Sequence, residues 1–210
     1  MGGSAPLLLP PRALAGVISG VVLAAGTSSR LGRPKQLLEL EGRPLLQHVV
    51  DAAVGSGLDE VVVVLGHQSE RIASALTLPP GTRVVINRDY ETGQSTSLRA
   101  GLDSVDPRAG AAAVLLGDQP GLTSAAIRKV LDAWRESDAP IVRALWQGTP
   151  GHPVVLARSE WESVRRLEGD KGARDLVAAS ALAEVIEMDE PPVADVDTWD
   201  QYEKLRDYGS

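Results

Sequence analysis

The 210-residue chain contains no cysteine and no phenylalanine. Without cysteine there are no disulfides, no thiolate zinc sites and no thiol nucleophile, and the composition fits a reducing, cytoplasmic setting. Aromatic residues make up only 3% of the chain, which argues against a stacking platform for single-stranded nucleic acid. A basic surplus is also missing: 21 Lys and Arg face 28 Asp and Glu, for a formal net charge of −7. General nucleic-acid binding needs such a surplus to neutralise the phosphate backbone, so only a local basic pocket stays open. No apolar run approaches the ~18 residues of a membrane span. The opening MGGSAPLLLPPRALAG lacks the basic start and the continuous apolar stretch of a signal peptide. Residues 1–16 are therefore expected to form a disordered leader, and residues 17–210 a single domain whose last few residues fray.

What is present is an ordinary globular balance, 43% hydrophobic and 23% charged. With so few aromatics the core must be built from Val, Leu, Ile and Ala, which suits a parallel sheet buried on both faces. Apolar, β-branched runs predict strands at Val17–Ala24, Glu60–Leu65, Arg83–Asn87, Ala111–Leu116 and Pro140–Leu145. Helical spacing predicts helices over Leu45–Val54, Gln68–Leu76 and Gln94–Val105, and from a Thr123 cap to Glu136. The alternation implies right-handed crossovers. After Leu145 the rhythm changes. Gln147-Gly-Thr-Pro-Gly151 is turn chemistry, and His152–Leu156 returns as an antiparallel strand. Helices near Glu160–Arg166 and Ala173–Ser180, a strand at Glu184–Met188 and a helix over Thr198–Arg206 close the chain. The expected fold is a three-layer, Rossmann-like α/β architecture: a mixed, mostly parallel sheet, one antiparallel strand, and helices on both faces.

The strongest chemical signal is the loop after the first strand, Leu23-Ala-Ala-Gly-Thr-Ser-Ser-Arg-Leu-Gly-Arg-Pro-Lys35. In open α/β sheets ligands bind at the carboxyl ends of strands. Gly26 and Gly32 allow close backbone approach, three hydroxyl residues follow Gly26, and Arg30 and Lys35 add two positive charges. Together these suit a polyphosphate. The loop matches neither the Walker A pattern nor the dinucleotide Gly-x-Gly-x-x-Gly. Taken alone it could also be a plain strand–helix turn with exposed basic residues.

Asp118 follows the fourth predicted strand in Gly117-Asp-Gln-Pro120, where a carboxylate can meet Mg2+ that draws its other ligands from substrate phosphates. Asp195 and Asp197, two apart in an extended stretch, share one side. Asp197 either joins Asp118 at a metal or caps the closing helix. Asn87, Gly93 and Ser97 border a helix N-terminus that could hold base, ribose or phosphate. Lys171 and Arg174 precede a later helix, as another anion site or as a solvated loop. His152 is a candidate substrate contact, although a lone His is more often structural. His48 and His67 are given no role.

In this order the stretches LAAGTSSRLGRPKQLLELEGRPLL, NRDYETGQSTSLRAGL, LLGDQPGLT, GHPVVL, GDKGARDL and DVDTWDQY resemble the molybdenum cofactor cytidylyltransferases. Those are nucleotidyltransferases of the nucleotide-diphospho-sugar transferase fold. The resemblance spans roughly residues 18–205. The first stretch is common to many nucleotidyltransferases, while its combination with GHPV and GDKGAR is more specific. Leu31, where that loop commonly has Met, and Glu39, where Pro is frequent, depart from the pattern away from the proposed chemistry.

The resemblance implies Mg2+-dependent transfer of CMP from CTP to molybdenum-loaded molybdopterin, releasing pyrophosphate. It assigns Leu23, Ala24, Ala25, Gly26, Arg30 and Lys35 to the nucleotide loop, and Asn87, Gly93 and Ser97 to the rest of the nucleotide pocket. Asp118 and Asp197 become metal ligands, and His152, Lys171 and Arg174 substrate contacts. Lys35, Arg30 and Asp118 would carry catalysis, and a molybdoenzyme maturation partner becomes a further candidate contact. Related guanylyltransferases carry a Gly-Gly-rich opening in place of Leu-Ala-Ala-Gly, which favours cytidylyl transfer. The alternatives are a guanylyltransferase or a sugar- or polyol-phosphate nucleotidyltransferase of the same fold, a nucleotide-sugar glycosyltransferase, and a non-catalytic binding partner.

Overall fold

The computed structural model describes residues 16–208, except for the side chains of Arg174, Ala179 and Tyr208. The leader expected at 1–16 therefore falls almost wholly outside the described residues. In chain order the strands are β1 (Ile18–Ala24), β2 (Glu39–Leu40), β3 (Arg43–Pro44), β4 (Glu60–Leu65), β5 (Thr82–Ile86), β6 (Ala111–Leu116), β7 (Ile141–Trp146), β8 (Thr149–Ala157) and β9 (Ala183–Met188). The helices are α1 (Leu45–Val54), α2 (Ser69–Ser74), α3 (Gln94–Ser104), α4 (Ser124–Glu136), α5 (Trp161–Arg165), α6 (Ala173–Ala179) and α7 (Trp199–Tyr208).

Seven strands form one sheet in the order β5-β4-β1-β6-β8-β7-β9. β1 lies between β4 and β6 and is parallel to both. β8 is antiparallel to β6 and β7, and β9 is parallel to β7. The expected mixed sheet with one reversed strand is the sheet found.

Alternation along β1 explains the layering. Ile18, Val22 and Ala24 face a core completed by α1, α2 and α4. Val21 and Leu23 face a second core completed by α3, α5 and α6. On α4, Ile127, Val130, Leu131 and Trp134 form one buried stripe at helical spacing, and the Thr123 hydroxyl accepts from the Ala126 N–H at its start. Truncating Leu131 to Ala there would cost about 2–5 kcal/mol. A third, smaller core gathers Leu31, Leu38, Leu45, Val196 and Tyr202 beneath the loop that follows β1.

Where the structure departs from expectation, the causes are local. β8 begins three residues earlier than expected. Gln147 and Gly148 both take positive φ, 46° and 80°, and this tight turn zips the hairpin up to Trp146↔Thr149. α2 starts one residue later than expected because Gln68 is left-handed, with φ 50°, and it ends two residues early, at Ser74. Among the described residues, the β2–β3 ribbon and the 3-10 turns at Lys35–Leu37, Tyr90–Thr92 and Arg158–Glu160 went unpredicted, being too short to carry a period.

Candidate active site

A cleft of about 380 Å3 opens where β1 and β6 end. Leu23, Ala24, Ala25 and Gly26 form one wall, Gly93 and Ser97 another, and Gly117 and Asp118 a third. Lys35 stands at its edge. A smaller pocket of about 250 Å3 shares Gly26 and Lys35 with the cleft and adds Ser28, Ser29, Arg30 and Asp197.

The loop from Gly26 to Pro34 is held by its own backbone. Ser28 sits at φ 54°, its carbonyl accepts from the Leu31 N–H at 3.0 Å, and its hydroxyl accepts from the Lys35 N–H at 3.0 Å. Gln36, 2% exposed, donates its amide to the carbonyls of Ala24 at 2.8 Å and Gly26 at 3.2 Å. That amide fastens the loop to the end of β1, and it follows Lys35 directly.

Lys35 is the centre of the charge arrangement. Its Nζ donates to Asp118 Oδ2 at 2.5 Å and to Asp197 Oδ1 at 2.6 Å. Burial pulls the pKa of this ammonium down, but the charges and hydrogen bonds of Asp118 and Asp197 outweigh that, and the net shift is upward. The Arg30 guanidinium lies 4.0 Å from Asp197 and is mostly in solvent. Asp118 comes off β6 through Gly117, whose N–H continues the ladder to the Leu23 carbonyl at 2.9 Å. The inner oxygen of Asp118, Oδ1, is buried and has no hydrogen-bond partner.

Asp195 faces the same cluster, as the two-residue spacing predicts. Partial burial and then the charge of Asp118 push its carboxyl above the ordinary range, against the Gln119 hydrogen bond that pulls it down. A carboxyl whose folded pKa exceeds its unfolded value opposes folding when ionised. That opposition is full above the folded pKa and fades as pH falls through the ordinary value near 3.8. Asp195→Asn is therefore expected to raise the Tm at pH 7, with the gain shrinking as the carboxylate range is reached. An unchanged or lower Tm at pH 7 would contradict it.

Among the described residues no group of three or more His, Cys, Asp or Glu side chains converges to hold a metal unaided. Asp118 and Asp197 could hold one only with further ligands from a bound phosphate, the usual mode for Mg2+. Asp197 does not cap the closing helix with its side chain. The Thr198 hydroxyl takes that place, accepting from the Gln201 N–H at 3.4 Å.

The other sequence-derived candidates divide. Gly93 and Ser97 line the cleft, whereas Asn87 does not. Asn87 lies behind the wall, 5% exposed, donating to Thr96 at 2.9 Å and Ser97 at 3.0 Å, so it shapes the turn rather than facing ligand. His152 also lies off the wall. β8 pairs Val154 with Val114, which sets His152 near the level of Leu116 at the same end of the sheet. Lys171 is exposed and off the wall, and its neighbour Asp170 lines the cleft instead. The Arg174 side chain lies outside the described residues. Residues that the sequence reading passed over include Gln36, Tyr90, Glu91 and Gln94, all on the cleft wall. Among the described residues no helix is long and apolar enough to cross a membrane.

Comparison with known proteins gives the chain relatives. The sequence profile of the MobA-like NTP transferase domain matches residues 20–185. Nicotine blue oxidoreductase of Paenarthrobacter nicotinovorans is 33% identical over 197 residues, which is 90% of this chain and 96% of that protein. Bifunctional protein GlmU of Sorangium cellulosum is 33% identical over 176 residues, 80% of this chain but only 37% of GlmU. Among solved structures, Rv0371c of Mycobacterium tuberculosis H37Rv has a TM-score of 0.84 at 37% identity, covering 91% of this chain and 97% of its own. A structure of Rv0371c in complex with manganese gives a TM-score of 0.80 at 34% identity, covering 91% and 98%.

Proposed function

The chain belongs to the MobA-like NTP transferase family and is a nucleotidyltransferase, and from that premise we propose that it transfers CMP from CTP to molybdenum-loaded molybdopterin. The products are molybdopterin cytosine dinucleotide and pyrophosphate. One observation carries this reading: an ammonium, Lys35, set between two carboxylates, Asp118 and Asp197, at the edge of a cleft formed by the Leu23-Ala-Ala-Gly26 strand end.

In the reaction a terminal phosphate oxygen of the acceptor forms a bond to the α-phosphorus of CTP. The bond from that phosphorus to the bridging oxygen breaks, and pyrophosphate leaves with the electron pair. The attacking oxygen is already anionic near neutral pH, so no strong general base is required. The demand is instead electrostatic: two anions must approach, and a third must depart. Lys35 and Arg30 meet the leaving pyrophosphate from the smaller pocket, where Ser28 and Ser29 add donors. Ala24, Ala25, Gly93 and Ser97 hold the nucleoside in the cleft.

The residues fit a divalent cation. The buried, partnerless Oδ1 of Asp118 and the facing carboxylate of Asp197 are hard oxygen donors of the kind Mg2+ takes together with phosphate oxygens. When bound, Mg2+ would shield phosphate–phosphate repulsion and polarise the α-phosphate. The manganese complex of Rv0371c supports a divalent ion in this fold. The acceptor phosphate would enter from the side of His152, Lys171 and Arg174. A redox role, raised by the name of one relative, gains nothing from this charge arrangement. The chain is taken as cytoplasmic, with delivery of the product to a molybdoenzyme as its outlet.

The test is pyrophosphate release with Mg2+ and molybdenum-loaded molybdopterin, comparing CTP, GTP, ATP and UTP. Release is expected with CTP alone and only when acceptor is present. Release with GTP would keep the chemistry and overturn the base assignment. Silence with all four nucleotides, from protein that still binds one, would overturn the acceptor and direct a sugar- and polyol-phosphate panel.

A further inference from the structure

Asp197 reaches the cleft from a segment outside the sheet. Residues 189–198 carry neither helix nor strand, yet the Asp197 carboxylate meets an ammonium 162 positions away in sequence. Locally its backbone is tied to the start of α7, the Asp197 N–H donating to Gln201 Oε1 at 2.9 Å, but that bond does not set where the segment lies against the sheet. Two contacts help. Val196, 1% exposed, sits in the small core with Leu31, Leu38, Leu45 and Tyr202. Its N–H donates to the Asp118 carbonyl at 3.0 Å.

The third contact is a side chain. Gln119, 6% exposed, donates Nε2 to Asp195 Oδ1 at 2.7 Å across 76 positions. Its own Oε1 is buried and has no partner, so it is the donor end of the amide that is put to use. The geometry points to Gln119 as a positioning residue that fixes the 195–197 segment, so that the Asp197 carboxylate is presented to Lys35 and to the cation.

The physical need is clear. The segment brings two negative charges, Asp195 and Asp197, towards a third, Asp118, and like charges repel. One ammonium lies between Asp118 and Asp197. A second cation beside Asp195 would compete with it for those acids, and an apolar side chain would leave Asp195 without its hydrogen-bond partner. A neutral donor holds Asp195 in place and leaves the charge on Asp197 intact. Removing a hydrogen-bond partner of a metal ligand itself typically weakens metal binding about 10- to 100-fold, and Gln119, which acts on Asp197 through Asp195, is placed at the low end of that range. This inference rests on Asp197 being a cation ligand, as read above.

The experiment titrates Mn2+ alone into the full-length chain, following free Mn2+ by electron paramagnetic resonance. It compares wild type, Gln119→Leu, Asp197→Asn and the exchanged pair Gln119→Glu/Asp195→Asn. The exchanged pair restores an amide–carboxylate hydrogen bond with its direction reversed, at equal net charge. Gln119→Leu is expected to weaken Mn2+ binding about 10-fold or more, and the exchanged pair to recover most of that loss. Without metal, amide hydrogen exchange at Val196 should quicken in Gln119→Leu and return towards wild type in the exchanged pair.

If Asp197→Asn weakens Mn2+ binding while Gln119→Leu stays within about twofold of wild type, the positioning role is overturned and the ligand role stands. Failure of the exchanged pair to recover binding also overturns it, since loss of packing alone would then account for Gln119→Leu. Should Asp197→Asn bind Mn2+ as wild type does, the cation reading of Asp197 falls, and this inference with it.

Discussion

Lys35→Ala is expected to slow pyrophosphate release by about 100- to 1,000-fold while the chain still folds, the range for losing one preorganised electrostatic contact in a catalytic site. The Lys35 ammonium touches both acids, at 2.5 and 2.6 Å, and is also the group shared by the cleft and the phosphate-facing pocket. Its removal takes away the cation that meets the leaving group. It also leaves Asp118 and Asp197 with only the solvent-facing Arg30 guanidinium, 4.0 Å from Asp197, as a counter-charge. The two consequences have opposite effects on a metal. Turnover should collapse, while Mn2+ affinity holds or tightens, because the displaced ammonium no longer competes for the carboxylates. Asp118→Ala should instead lose turnover and Mn2+ binding together. Stopped-flow pyrophosphate detection, Mn2+ titration and a thermal melt on each variant separate the cases. Near-normal turnover in folded Asp118→Ala would break the metal assignment, and near-normal turnover in Lys35→Ala would break the leaving-group assignment. The raised pKa of Lys35 adds a sign. Its contribution to stability is full below the ordinary value of 10.5 and is lost only as pH rises through the folded pKa. The neutral range should therefore show no alkaline loss that traces to this residue.

The second large effect is expected at Gly93. Its φ is 123°, and a β-carbon there would fall 2.2 Å from the Gly169 carbonyl carbon and 2.3 Å from its oxygen. Both obstacles are backbone, so no side-chain rotation relieves the clash. Gly93→Ala forces the 169–170 turn away from α3, breaks the 3.0 Å bond from the Ser95 N–H to the Gly169 carbonyl, and draws Asp170 off the cleft wall. Backbone strain of this class costs about 1–3 kcal/mol before the displacement is counted. For a domain of this size a Tm decrease of roughly 5–10 °C follows, together with a raised KM for nucleotide. The control is Gly26→Ala, where a β-carbon meets nothing within 4 Å and φ is not positive. Its Tm should match wild type. Equal melts for both variants would show that the approach of Gly169 to Gly93 carries no stability.

The pattern of what was legible in the sequence has a physical basis. Val61–Val64 could be read as a buried strand because four consecutive β-branched residues leave little else, and Ala111–Leu116 because its residues are apolar on both faces. The loop residues Arg30 and Lys35 stood out because glycines, hydroxyls and positive charge together follow a buried strand, and Asp118 because it ends another strand at the same carboxyl edge, where ligands bind. Gln36 and Gln119 did not stand out. Each acts through one hydrogen bond to a partner that folding brings near, a carbonyl 12 positions back for Gln36 and a carboxylate 76 positions on for Gln119. Such pairs leave no periodicity. The 169–174 turn shows the limit in another way. Two positive charges left an anion site and a solvated loop both open, and with Gly169 at φ 62° it is Asp170 that lines the cleft while Lys171 faces water. Composition reports which charges a loop carries, and backbone torsion decides which of them point inward.

The small third core has a consequence for the order in which the protein is made. Leu31 and Leu38 belong to the first fifth of the chain, Val196 and Tyr202 to its last tenth, and the Tyr202 hydroxyl donates to the Glu39 carbonyl across 163 positions. On a ribosome the six parallel strands and their reversed neighbour can all have emerged while the loop after β1 still lacks the residues that pack beneath it. A nascent chain ending just after β9 would present Lys35 with one of its two acids, and Leu31 with Leu38 and Leu45 but without Val196 and Tyr202. Contacts this distant in sequence form late, because their loop-closure entropy is offset only once the intervening fold has drawn the ends together. The site is thus completed by residues that follow every strand of the sheet in the chain. A partly made chain can hold the shape of the domain without its full set of charges.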